Sequence, residues 1–176
     1  MIFEEKKISG ERIYQGKILS VRKDLVTAVN GQAYREIVEH GGAVAMVAVT
    51  EDDKIIMVRQ YRYACGRAVL EIPAGKIDPG EKDPVAVAHR ELKEETGYSA
   101  SSVTHLGDVN PSCGYSEEVI HIYLMKGLTA GEQEPDEDEA LEVLELPFDE
   151  VYAKAVNGEI ADAKTMAALL MAKERR

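Results

Sequence analysis

Three carboxylates fall within five residues of the stretch "HRELKEETGY": Glu91, Glu94 and Glu95. Each residue of an α-helix advances the side chain by about 100°, so Glu91 and Glu95 share nearly one face and Glu94 sits about 60° from Glu91. Like charges at i, i+4 repel by roughly a few tenths of a kcal/mol. Gly97 stops the helix just beyond them, so they also sit where the helix dipole disfavours anions. A solvated face, eased by Arg90 reaching Glu94 and by Lys93, is one account of such crowding. The other is a hard-cation site: clustered carboxylates offer oxygen ligands to Mg2+ or Mn2+, and the ion neutralises the repulsion.

The elements that must carry these residues are legible around them. Asp83 is a natural N-cap and Pro84 a natural first helical residue; Val85, Ala88 and Leu92 form an apolar stripe able to dock on a sheet. The loop "PAGKIDPG" exposes backbone carbonyls next to that helix. Strands are read in "AVAMVAV" (Ala43–Val49), "IIMVRQY" (Ile55–Tyr61), "AVLEI" (Ala68–Ile72), "VIHIYLM" (Val119–Met125) and "ALEVLEL" (Ala140–Leu146). "PFDEVYAKAVNG" and "DAKTMAALLMAKERR" read as helices. Residues 1–42 read as a β-rich subdomain, in which Asn30–Gly31 would turn a hairpin through the two left-handed positions of a type I′ turn. Strands occur both in hairpins and around helices, so the expected class is α+β with a mixed sheet.

Composition sets the outer limits. The 176 residues suit one domain, or one domain with a small appendage. Twenty-one Lys and Arg stand against 32 Asp and Glu, a formal net charge of −11. That balance argues against nucleic-acid binding and against docking on anionic lipid, both of which need a basic surface. No apolar run reaches membrane-spanning length and no signal peptide starts the chain, so a cytoplasmic protein is expected. Cys65 and Cys113 have no zinc-type spacing, nor do His40, His89, His105 and His121. "CGYSEE" lacks the elbow of a serine nucleophile.

"GKIDPGEKDPVAVAHRELKEETGY" resembles the Nudix box, G-x5-E-x7-R-E-U-x-E-E-x-G-U, at Gly75, Glu81, Arg90, Glu91, Leu92, Glu94, Glu95, Gly97 and Tyr98. One departure stands out: eight residues separate Glu81 from Arg90 where the pattern has seven, which leaves open whether Glu81 supports the arginine. Beyond the box, "YREIVEHGGAVAMVAVT", "MVRQYRYACGRAVLEIPAGKIDPGE" and "DEDEALEVLEL" look like the ADP-ribose pyrophosphatase branch. Pro111 is a candidate for the proline that marks that branch downstream of the box.

The resemblance implies a Nudix-type α/β/α sandwich over residues 43–176 and a dimer-forming N-terminal subdomain over 1–42, in a homodimer. It implies hydrolysis of ADP-ribose to AMP and ribose 5-phosphate with Mg2+ or Mn2+. Glu91, Glu95 and the carbonyl of Ala74 would hold metal, with Glu94 as a further ligand, direct or through water. Glu139 of "GEQEPDEDEA" would be the general base, with Glu137 as second choice. Arg62 would contact the substrate diphosphate, and Arg35 and Glu36 would approach the nucleobase, with Tyr34 and Tyr14 as candidate stacking partners. Two alternatives stay open: another Nudix substrate (a different nucleoside diphosphate sugar, a dinucleoside polyphosphate, an oxidised nucleotide), or a Nudix-fold module that senses a nucleotide without cleaving it.

Overall fold

The computed structural model describes residues 2–134 and 140–176. They divide into two compact units, Met1–Gly42 with Asn110–Val119, and Ala43–Val109 with Ile120–Arg176. The first unit is an antiparallel meander of β1 (Lys7–Gln15), β2 (Leu19–Ala28) and β3 (Gly31–His40), in that spatial order. Every residue of β1 is exposed. The segment after Val109 joins β3 through Val38, whose N–H donates to Tyr115 O (2.7 Å) and whose carbonyl accepts from Glu117 N (3.0 Å).

The expected β2–β3 hairpin is present, but its turn falls one residue earlier. Ala28 pairs with Gly31, so Val29 and Asn30 are the central pair. A type I′ turn needs positive φ at both central positions, which the β-branched Val29 resists. Asn30 does not adopt it either: among the described residues Asp53 is the sole non-glycine with positive φ. Gly31 opens β3 at φ +117° instead.

The second unit contains β4 (Ala43–Ala48), β5 (Lys54–Arg62), a 3-10 turn (Tyr63–Cys65), β6 (Arg67–Glu71) and β7 (Ala74–Lys76). Next come α1 (Pro84–Thr96), β8 (Ser99–Val109), β9 (Ile120–Thr129), β10 (Leu141–Pro147), α2 (Phe148–Val156) and α3 (Ala163–Ala172). One sheet has the order β10-β5-β6 and is antiparallel throughout. The other, β7-β4-β9-β8, is mixed, because β4 runs parallel to β9 while the remaining pairs are antiparallel. Neither β7 nor β8 was expected: β7 is three residues of a Pro/Gly-rich loop, and β8 is a largely exposed edge strand, "SASSVTHLGDV", without an apolar run.

All six residues of β4 are buried, and period-2 alternation divides them between two cores. Val44, Met46 and Ala48 pack with Val87, Ala88 and Leu92 of α1. Ala43, Ala45 and Val47 pack with Phe148, Val151 and Ala155 of α2 and with Ala168, Leu169 and Ala172 of α3. The sheets are thus filled between helices on both faces, an α/β/α arrangement of α+β class. Full burial of a Val or Leu side chain contributes roughly 1.5–3 kcal/mol, so Val87 and Leu92 fix which side of α1 faces the sheet.

The ends of α1 are set as its sequence requires. Asp83 accepts from the Val85 N–H at 3.0 Å with Pro84 at the first position, and Gly97 closes the helix at φ +77° with its N–H on Lys93 O. A Cβ on Gly97 would also lie 2.7 Å from Gly131 O. Gly97→Ala is therefore expected to destabilise the protein by at least about 1 kcal/mol, read as a lower urea midpoint at unchanged m-value. An unchanged midpoint would show that the helix end relaxes freely.

Candidate active site

The site grows from the contact between α1 and β7. The Glu95 side chain is buried and accepts a hydrogen bond from the Ala74 N–H at 2.9 Å. One turn earlier, Glu91 lies directly over Gly75: a Cβ on that glycine would come within 1.8 Å of Glu91 Cδ. Both carboxylates are thereby held against the backbone of β7. Glu94 is more exposed and takes a 2.7 Å hydrogen bond from Arg90 Nη1.

Arg90 is the organising cation. Its Nη1 is also 2.9 Å from Glu91, and its Nε and Nη2 donate to Glu81 at 3.3 Å each. The residue added between Glu81 and Arg90 therefore does not break their contact; Glu81 also accepts from the Asp78 N–H at 2.8 Å, so the loop folds back onto the helix. Burial disfavours the arginine's charge, but Glu91, Glu94 and Glu81 outweigh it and hold its pKa above the ordinary value. One guanidinium thus spans three carboxylates, and part of the repulsion between them is offset within the chain.

The C-terminal end of α1 receives a second strap. Gln133 Nε2 donates to Glu95 O (2.7 Å), Glu134 N to Glu94 O (3.0 Å), and Lys93 Nζ to the Glu134 carboxylate (2.8 Å). The chain is thus tied to the box helix immediately before Pro135. Glu137 and Glu139 lie outside the described residues.

Arg62 at the end of β5 forks onto the buried Glu71, Nε to Oε1 at 2.7 Å and Nη2 to Oε2 at 2.9 Å, the planar geometry that suits guanidinium and carboxylate. Lys164 Nζ also donates to Glu71 and lies 3.1 Å from Asp162. The Glu71 hydrogen bond raises the pKa of Arg62 against the cost of burial, with Glu95 adding to the same field. Burial pushes the Glu71 carboxyl up, while Arg62 and Lys164 outweigh it and bring it below the usual value. Sequence reasoning did not single out Glu71, although a glutamate inside the apolar run "AVLEI" was a visible signal.

The other expected residues belong to the first unit. Arg35 pairs with Glu5 and donates to Tyr34 O, Glu36 lies across from Lys23 on β2, and Lys23 Nζ stands 4.5 Å from the centre of the exposed Tyr34 ring. Tyr14 is exposed on β1. Glu117 pairs with Arg22 and Glu118 with His40.

The NUDIX domain pattern matches residues 39–169. The chain belongs to the NUDIX family. It is 43% identical over 171 residues to the methanol dehydrogenase activator of Bacillus methanolicus, covering 96% of this chain and 92% of that one. It is equally identical over 169 residues to the ADP-ribose pyrophosphatase of Bacillus subtilis, covering 94% and 91%. A crystal structure of an ADP compounds hydrolase superposes with a TM-score of 0.85 at 25% identity, covering 99% of this chain and 95% of that chain. NUDIX hydrolases generally depend on divalent metal. Glu91, Glu94 and Glu95 would offer carboxylate oxygens, the donors that a hard cation takes, and Gly75 carries no side chain that would displace Glu91. Among the described residues no helix is long and apolar enough to cross a membrane.

Gly75→Ala is expected to push Glu91 away from β7 and to lower metal-dependent turnover by about 100-fold, the scale of a misplacement near 1 Å. The same substitution at Gly114, where a Cβ would meet nothing within 4 Å, should leave turnover unchanged. Equal rates in the two variants would show that the close approach is not needed.

Proposed function

We propose that this NUDIX protein hydrolyses the diphosphate linkage of ADP-ribose, giving AMP and ribose 5-phosphate, as a Mg2+-dependent enzyme that also accepts Mn2+. The observation that carries the reading is the set of carboxylates fixed on α1 against β7 in a chain 43% identical to an ADP-ribose pyrophosphatase over most of both lengths. Glu91, Glu95 and the Ala74 carbonyl would hold the metal, with Glu94 as a further ligand, direct or through water. A divalent cation held there would screen the charge that spreads over phosphate oxygens and lower the pKa of the attacking water.

The remaining work falls to the chain's own groups. Glu139 takes the proton of the water that attacks phosphorus as the phosphorus–oxygen bond to the leaving phosphate breaks; Glu137 stands second for this role. The strap from Gln133 and Glu134 to the end of α1 supports a base from this segment, since it brings the chain to the box helix just before it. Arg62, pre-oriented by Glu71, holds diphosphate oxygens. Arg35 and Glu36 serve the nucleobase from the partner subunit of a homodimer. The fully exposed β1, which presents Ile8, Ile13 and Tyr14 to solvent, supports such pairing. A nucleotide-sugar substrate and the acidic net charge are consistent with a cytoplasmic enzyme.

The test is product analysis with Mg2+ on ADP-ribose, GDP-mannose, a dinucleoside polyphosphate and an oxidised deoxynucleoside triphosphate. AMP should appear fastest from ADP-ribose and vanish with EDTA. GDP-mannose belongs in the panel because relatives named GDP-mannose pyrophosphatase reach 32% identity, and its faster cleavage would overturn the substrate assignment. Glu139→Gln is expected to lower kcat by about 100-fold or more with little change in KM. A wild-type kcat in both Glu139→Gln and Glu137→Gln would place the base elsewhere.

A further inference from the structure

In the second unit, His105, Asp108 and His121 converge on the face of the β8–β9 pair that also carries the buried Tyr123, with His105 and Asp108 open to solvent. His105 Nε2 and His121 Nδ1 each lie 2.8 Å from the same oxygen, Asp108 Oδ1. One ligand atom from each residue falls within 4.8 Å of the others. No helical or strand spacing announces this grouping. In a regular strand, residues 105 and 108 point to opposite faces, because side chains alternate with period 2. A register shift between His105 and Gly107 inserts one residue into β8. The bulge turns Asp108 onto the His105 face, where it stands directly opposite His121 on β9. The Tyr123 ring, 5.3 Å from the His105 ring, braces that imidazole.

We propose that His105, Asp108 and His121 form a binding site for a transition-metal divalent cation of the Zn2+ type, separate from the carboxylate box. Two imidazole nitrogens and one carboxylate oxygen are a donor set for Zn2+, Co2+ or Ni2+ and not for Mg2+. Bonds of about 2.0–2.2 Å in a tetrahedron place ligand atoms roughly 3–3.5 Å apart; here each imidazole nitrogen lies 2.8 Å from Asp108 Oδ1 and all three ligand atoms fall within 4.8 Å of one another, and three protein ligands would leave a fourth position to water. His105 and Asp108 are about half exposed at 48% and 49%, so an ion reaches them from solvent. The cluster and the box lie on the same face of the mixed sheet, two strands apart. Across the mixed sheet Gly75, Val44, His121 and Asp108 occupy successive strands, and a strand spacing of about 4.8 Å puts the backbone of His121 roughly 10 Å from that of Gly75. An ion held there ties the edge strand β8 to β9. This proposal stands independently of the hydrolytic reading.

The test is a Co2+ titration of the tag-free chain in excess Mg2+, followed by visible absorption, with Zn2+ as competitor. One equivalent of Co2+ should bind with the intense bands of a low-coordinate site, and Zn2+ but not further Mg2+ should displace it. Binding should weaken at least tenfold in His105→Ala and in Asp108→Asn, whose exposed positions leave folding intact, and persist in Glu95→Gln. His105→Ala should also keep its Mg2+-dependent turnover. Absence of the bands in the wild type, bands unchanged in both variants, or bands lost in Glu95→Gln would each overturn the assignment and leave the cluster as two histidines hydrogen-bonded to one aspartate.

Discussion

The close approach of α1 to β7 is the constraint on which the rest of the second unit depends. Glu91 and Glu95 need a helix that brings their carboxylates down onto a backbone, and only a glycine at position 75 leaves room for one of them. The depth of that approach is set on the same helix by other residues: Val87, Ala88 and Leu92, buried against Val44, Met46 and Ala48. The apolar stripe that folds the helix therefore also sets the height of the carboxylates above the sheet. Both properties come from one helix with two differently used faces.

Crowded anions make this arrangement costly, and the chain offsets the cost in two places. Arg90 spans Glu81, Glu91 and Glu94 from within the box, while Arg62 sits on the buried Glu71, which Lys164 also reaches. The second group does more than neutralise charge. A bidentate pair with Glu71 limits the orientations open to the Arg62 guanidinium, so little rotamer freedom remains to be lost when it meets an anion. In both places carboxylates hold a guanidinium in a fixed position.

What the sequence made legible follows from which signals are local. The N-cap at Asp83, the stop at Gly97 and the carboxylate spacing on α1 depend on neighbours in the chain, and each is found where the residues place it. The Glu81–Arg90 contact was not decidable from spacing, because an additional residue in a loop can be absorbed without moving its ends. The β2–β3 turn was misplaced because Asn-Gly is a strong local signal that the pairing of Ala28 with Gly31 overrides. β8 went unseen because an exposed edge strand needs few apolar residues. The meeting of His105, Asp108 and His121 requires a bulge, which no period reveals.

Metal affinity tests, without relying on turnover, whether Glu91 and Glu95 crowd together because they share a cation. Free Mn2+ measured by electron paramagnetic resonance, in titrations of the wild type, Glu91→Gln, Glu95→Gln and the distant control Glu150→Gln, reads that affinity directly. Saturable binding is expected in the wild type and control, weakened at least about tenfold, or 1.4 kcal/mol, in either box variant, with all four chains folded. Equal affinity across the four would contradict it and return the three glutamates to a solvated helix face.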